Sequence, residues 1–238
     1  MKKSGEVYVG KKAERGVLGS TDPLIPGVLN INATSGSMNK INGVPAKQLS
    51  PMYLGPVEEK EIFGIGDQVA LLFENYWQYG KIFNELGHID AIGQLTPTWY
   101  AFREKGYKKT KGDRHPDGTK SKEVKYVDSR GNRHFRYYTA ISSMYLDNVL
   151  DYITSRKLIY APVYGFLVVR TPAFQELKKL VESGQSVQIL DFDVLPGSHR
   201  ISLEFLRERI NDATLPFGHG YVVAGLLAGI EPSQYCYD

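Results

Sequence analysis

Within one octet, Glu74-Asn75-Tyr76-Trp77-Gln78-Tyr79-Gly80-Lys81, the chain carries an acid, an indole, an amide and an amine. Each helical residue turns about 100° from the last, which puts Val69, Leu72, Tyr76, Phe83 and Leu86 on one face. Ala70, Glu74, Trp77, Gln78, Lys81 and Glu85 fall on the other. The first face reads as core. The second suits a cleft, where the indole offers a stacking surface and the polar groups offer hydrogen bonds and proton transfer. The alternative is a solvated face with Trp77 half-buried against a loop.

Two further places have chemistry-bearing types. Ile189-Leu190-Asp191-Phe192-Asp193 ends an apolar strand with Asp-x-Asp, resembling the nucleophile strand of haloacid-dehalogenase phosphatases. Only 45 residues follow Asp193, too few for the βα units such a fold needs. Asp191 and Asp193 therefore read as pocket residues at a strand end or as turn formers. Phe217-Gly218-His219-Gly220 precedes an apolar helix. Its glycines permit close backbone approach, and helix-start N–H groups favour an anion such as phosphate; the alternative is a tight Pro216-Phe217-Gly218 turn.

The elements that must position these residues are legible in part. Strands are expected at Glu6–Val9, Val28–Ile31 and Ser186–Phe192, and a helix over about 67–87. Residues 88–102 read as irregular and 143–158 as helical. Thr171-Pro172 marks a helix start whose buried face is Phe174, Leu177, Leu180 and Val181, with Gly184 as its stop. Ser198 is expected to cap a helix carrying Ile201, Phe205, Leu206 and Ile210. A small-residue helix spans 220–229.

Net charge is +3, from 29 Lys/Arg and 26 Asp/Glu. Between Arg103 and Arg136 lie 12 Lys/Arg and 5 Asp/Glu, so one segment makes the chain basic. Turn signals at Asp117-Gly118 and Arg130-Gly131-Asn132 predict an inserted β-hairpin over 103–137. Lys108, Lys109, Arg133 and Arg136, interleaved with tyrosines, can meet DNA or RNA phosphates while the aromatics stack on bases. The alternative is a solvated loop.

The lone Cys236 closes no internal disulfide, and no Cys/His set has zinc spacing, so no metal and no cofactor is expected. No apolar run is long enough to span a membrane, and the first residues lack an apolar signal segment; the reading is a cytoplasmic protein with no membrane partner. The oligomeric state is not readable.

Taken in order, the pieces resemble the NADAR superfamily. Ser50-Pro51-Met52-Tyr53 with Pro56 stands at the family's first motif, with Pro51 where the family has Asn. Glu74, Trp77, Gln78 and Lys81 match the spacing of its helix motif. Gly184, Asp191, Asp193, Gly218, Gly220 and Gly225 follow the family's later order. The closing Asn-x-Leu-Gly pattern is absent, and the 103–137 hairpin has no counterpart.

The resemblance implies an α+β, mainly helical single domain over 1–238 with the basic hairpin inserted. It also implies an N-glycosidase, a hydrolase acting on a nucleotide or ADP-ribose-type adduct. Glu74 would be the carboxylate beside the sugar, and Lys81 would bind phosphate or hold Glu74 charged. Asp191 and Asp193 would complete the catalytic set. Ser50, Tyr53, Trp77, Gln78, Gly218, His219 and Gly220 would hold substrate. The competing reading is a non-catalytic, phage-encoded nucleotide- or nucleic-acid-binding protein that works through the hairpin.

Overall fold

The computed structural model describes residues 4–14, 16–64, 66–83, 86–116, 124–127, 133–135, 138–139 and 149–237. The fold is α+β. In chain order the elements begin with β1 (Val7–Lys11), β2 (Leu29–Asn32), β3 (Lys40–Ile41) and β4 (Val44–Pro45). Next come β5 (Val57–Glu58), α1 (Glu59–Phe63), β6 (Val69–Ala70), α2 (Phe73–Tyr79) and α3 (Pro97–Tyr107). Four short strands follow: β7 (Val124–Val127), β8 (Arg133–Phe135), β9 (Tyr138–Thr139) and β10 (Val149–Leu150). Then α4 (Tyr152–Ser155) runs through a π-helical turn, Arg156–Tyr160, into α5 (Ala161–Val168). The chain closes with α6 (Pro172–Glu182), β11 (Val187–Asp191), β12 (Ser198–Arg200), α7 (Leu203–Asn211), α8 (His219–Leu227) and α9 (Pro232–Cys236).

The chain forms two compact units, one from 1–50 with 164–238 and one from 51–163. The first unit is built on a four-stranded mixed sheet ordered β12-β1-β11-β2. β11 lies parallel to both β1 and β2, and β12 closes the edge antiparallel to β1. All five residues of β11 are buried, as a central strand requires. Helix α8 packs on β1 and β11 and is buried along its whole length. Its small residues allow this: a Cβ on Gly225 would stand 2.9 Å from Leu206 Cδ1. Thr171 caps α6 by accepting the Phe174 N–H at 3.2 Å. Ala173, Phe174, Leu177 and Val181 form the buried face of α6, each large apolar side chain stabilising by about 1.5–3 kcal/mol.

The second unit has α2 packed on α3. Their closest approach is at Gly106, where a Cβ would fall 1.9 Å from the Tyr79 ring. Asn75, fully buried, pins the chain after α3. Its amide donates to the Lys109 and Lys111 carbonyls at 3.1 and 3.0 Å and its oxygen accepts the Asp113 N–H at 2.8 Å.

Several expectations are corrected. The 67–87 helix is only Phe73–Tyr79, because Val69–Ala70 pairs with Val57–Glu58 as a strand. Residues 97–107, expected as loop and hairpin base, are helix α3, with Pro97 in its first turn rather than as a breaker. Among the described residues of the basic segment, β7 and β8 pair antiparallel, with Val124 opposite Phe135. The helix expected at 143–158 starts at Tyr152, and 140–148 lie outside the described residues. Ser198 lies in β12, and Ser202 caps α7 instead, accepting from Phe205 N–H at 3.1 Å.

Candidate functional site

In the second unit, α2 presents the octet. Leu72 is extended and the helix begins at Phe73, so Glu74 and Gln78 fall one turn apart on one face. Gln78 donates through Nε2 to Glu74 Oε1 at 2.9 Å. Both side chains are more than nine-tenths buried, at 8 % and 7 % exposure. That bond sets the amide orientation, and it leaves Gln78 Oε1 buried without a partner among the described residues. Leaving such an acceptor unpaired costs about 1–3 kcal/mol. Trp77 is half-buried and meets Tyr160 edge-on, ring centroids 4.8 Å apart. Tyr160 also packs on Phe73 at 5.3 Å. It ends the π-helical turn, whose wider register presents the ring to α2.

Lys81 is buried at 7 % exposure but does not continue the helical stripe. The helix ends at Tyr79 with Gly80 as its cap, so Lys81 belongs to the segment that leaves α2. Its carbonyl accepts the Trp99 indole N–H at 3.3 Å. Tyr53 ends the short 3₁₀ turn Pro51–Tyr53, which packs on α2, and is 49 % exposed.

The remaining candidates lie in the first unit. Ser50 is buried just after a 3₁₀ turn and donates its N–H to the Lys47 carbonyl at 3.0 Å. Asp191 ends β11 at 2 % exposure. Its Oδ2 accepts the Gly220 N–H at 2.9 Å and faces His219 Nδ1 at 3.2 Å. His219 Nε2 lies 3.0 Å from the Ala33 carbonyl oxygen. Each ring nitrogen thus faces an acceptor, and a neutral imidazole can donate to only one of them. The Tyr164 ring packs on His219 at 5.8 Å, and its phenol donates to the Leu49 carbonyl. Burial, with the Asp191 charge added, holds that phenol well above the usual tyrosine range.

This network bears on the phosphate expectation for the Gly-His-Gly segment. The Gly220 donor at the start of α8 is taken by the chain's own carboxylate. The glycines serve that approach: a Cβ on Gly218 would stand 2.5 Å from Asp191 Oδ2, and one on Gly220 would stand 2.6 Å from Asp191 Cβ. Asp193 is exposed, and its Cβ packs against Gly218. Asp191 and His219 anchor α8 to the sheet.

Among the proposed nucleic-acid contacts, Lys108 is exposed and pairs with Glu104 at 2.5 Å. Lys109 pairs with Asp113, which also accepts the Tyr79 hydroxyl at 2.8 Å. That pairing, led by Asp113, raises the Lys109 ammonium above the usual lysine range. Arg133 belongs to β8, and Arg136 lies outside the described residues.

Sequence reading missed Asn75 and Tyr160. A buried Asn on a core-facing helix position was the available signal for the first. Among the described residues, no group of three or more His, Cys, Asp or Glu could hold a metal ion, and no helix is long and apolar enough to cross a membrane. No family model, curated protein or solved structure matches the chain.

Proposed function

We propose that the chain is an N-glycosidic hydrolase acting on a nucleotide or ADP-ribose-type adduct, with Glu74 as its catalytic carboxylate. The observation that carries this reading is the Gln78 side chain. Its amide N–H group holds the Glu74 carboxylate, and its carbonyl oxygen is left ready to accept an N–H from a ligand. A nucleobase offers such N–H donors along its edge. Breaking that C–N bond builds positive charge on the sugar, and a fixed carboxylate beside C1′ stabilises it or takes a proton from the attacking water. Trp77 and Tyr53 supply stacking surfaces on the same unit, and Lys81 supplies a cation for phosphate. The resemblance to the NADAR helix motif agrees in residue type and spacing at Glu74, Trp77, Gln78 and Lys81.

The test is release of free base from NAD and from ADP-ribosyl adducts of nucleobases, followed by chromatography. Wild-type protein should release base, and Glu74→Gln should lower the catalytic rate by about 10²–10⁴-fold while calorimetry shows the ligand still bound. Turnover by Glu74→Gln at the wild-type rate would remove Glu74 from the mechanism. Gln78→Leu should weaken binding by roughly tenfold or more, because it loses both the acceptor and the hold on Glu74.

A further inference from the structure

The second unit contains another polar centre that the proposed chemistry does not use. The β5–α1–β6 segment borders a cleft of about 580 Å³ lined by Glu58, Glu59, Lys60, Gly66, Asp67 and Gln68, among others. Glu59, at the first position of α1, is 1 % exposed. Its Oε1 accepts the Tyr76 hydroxyl at 3.4 Å, and the Gln68 backbone N–H also faces the carboxyl. Its Oε2 has no hydrogen-bond partner among the described residues. Gly66, part of the cleft wall, lies against this oxygen: a Cβ at 66 would stand 2.6 Å from Oε2. Glu59 and Gly66 both line the cleft, and the glycine's missing side chain leaves room for the unpaired oxygen.

The charges around Glu59 decide what it can bind. Glu58 and Asp67 are exposed acids at the cleft, and Lys60 is the one cation among its described lining residues. From α3, Arg103 is felt electrostatically but makes no ion pair with Glu59. Its guanidinium instead stacks over the Trp99, Tyr100 and Tyr107 rings at 4.8, 5.3 and 5.9 Å. Tyr107 from α3 and Tyr76 from α2 face the carboxyl as phenols. The Gln68 backbone N–H and the Tyr76 hydroxyl favour the charged carboxyl, but Oε2 stays unpaired among the described residues. With more acids than bases among the described lining residues, the site suits a ligand that brings its own positive donors.

We propose that this cleft binds a primary ammonium group of an aliphatic amine, with Glu59 as the buried counter-ion. The ammonium supplies the N–H donors that Oε2 lacks, and its charge offsets the desolvation that burial imposes on the carboxylate. Glu58 and Asp67 attract the cation at the mouth. Binding is linked to proton release. Burial raises the Glu59 carboxyl to about 7, so near pH 6.5 much of it is protonated before an ammonium enters and ionised afterwards.

The probe is 1,4-diaminobutane, titrated calorimetrically into the full-length chain at pH 6.5 in two buffers of different ionisation enthalpy. The observed heat should differ between buffers with the sign of proton release, and the affinity should rise between pH 6 and pH 8. Glu59→Gln, close in shape, should lose the buffer dependence and weaken binding at least tenfold. Asp67→Asn should weaken it only a few-fold. The neutral 1,4-butanediol should not bind. Three results would overturn the proposal: no binding of the diamine, equal binding by Glu59→Gln that circular dichroism shows to be folded, or equal binding of the diol. Base release by the Glu74 site should be unchanged in Glu59→Gln, so the two readings fail separately.

Discussion

Gly220→Ala would put a methyl carbon 2.6 Å from Asp191 Cβ, an atom fixed by its strand. We expect a loss of roughly 1–3 kcal/mol in urea unfolding, the usual cost of overpacking. Asp191→Asn keeps the volume but removes the charge that receives the Gly220 N–H and faces His219. Its cost should be about 1–3 kcal/mol, and amide exchange should quicken at the first turn of α8. At this scale the sequence was informative about residue type and silent about partner. Glu74 and Gln78 are four apart, so their meeting on a helix followed from local geometry. Asp191, His219 and Ala33 meet only through the sheet, and no local pattern carries that. The octet's Lys81 was misplaced for a related reason. A helical period extends past the point where Gly80 ends the helix, because periodicity contains no stop signal of its own.

Among the elements, those with their own punctuation were legible. Thr171-Pro172 opened α6 as read, and the apolar run before Asp191 is β11. α3 was not legible because a proline suits an irregular stretch as well as a first helical turn, where Pro97 sits. The helical run after 152 was displaced because a stretch as apolar as 158–168 has no polar face to set its phase. Asn75 belongs to this scale, since one side chain ties α2 to the segment leaving α3. Asn75→Ala should cost roughly 2–4 kcal/mol, because it leaves the Lys109, Lys111 and Asp113 backbone groups unpaired together. Hydrogen exchange at Asp113 should rise more than exchange within α2; equal change in both would mean general unfolding instead.

At the scale of the whole chain, pH and salt are the levers. Two groups of the second unit titrate in opposite senses. Glu59, raised to about 7 by burial, favours the fold in its protonated form. Its contribution is complete below about pH 4.5 and is lost as pH rises to 7, roughly 3 kcal/mol at most. His88, lowered by burial to about 4, favours the fold when neutral. Its contribution is complete above about 6.5 and is lost as pH falls through 4, by a similar amount. The two nearly cancel between pH 4.5 and 6.5. Urea midpoints of the wild type should therefore vary little across that window. Glu59→Gln should fall steeply on acidification, and His88→Gln should fall on the alkaline side. For salt, we expect replacement of 117–137 by a Gly-Ser bridge to leave the rest folded, since α3 and its Asn75-bound tail are spared. If the basic segment holds DNA or RNA, the deletion should also flatten the log-log salt slope of binding, measured by fluorescence anisotropy. Salt-independent binding by the intact chain would rule that use out.

The strand order β12-β1-β11-β2 has a consequence for the growing polypeptide. β1 and β2 are made first, yet neither pairs with the other; both wait for β11 between them. On the ribosome their edges stay open until Val187 has emerged, an interval on the order of ten seconds at typical synthesis rates. Throughout it the nascent chain carries two unpartnered strands, and residues 51–163 are made before either strand meets its partner. A ribosome stalled before Val187 should therefore hold a chain that recruits chaperones through its first 32 residues, and one stalled well after residue 191 should not.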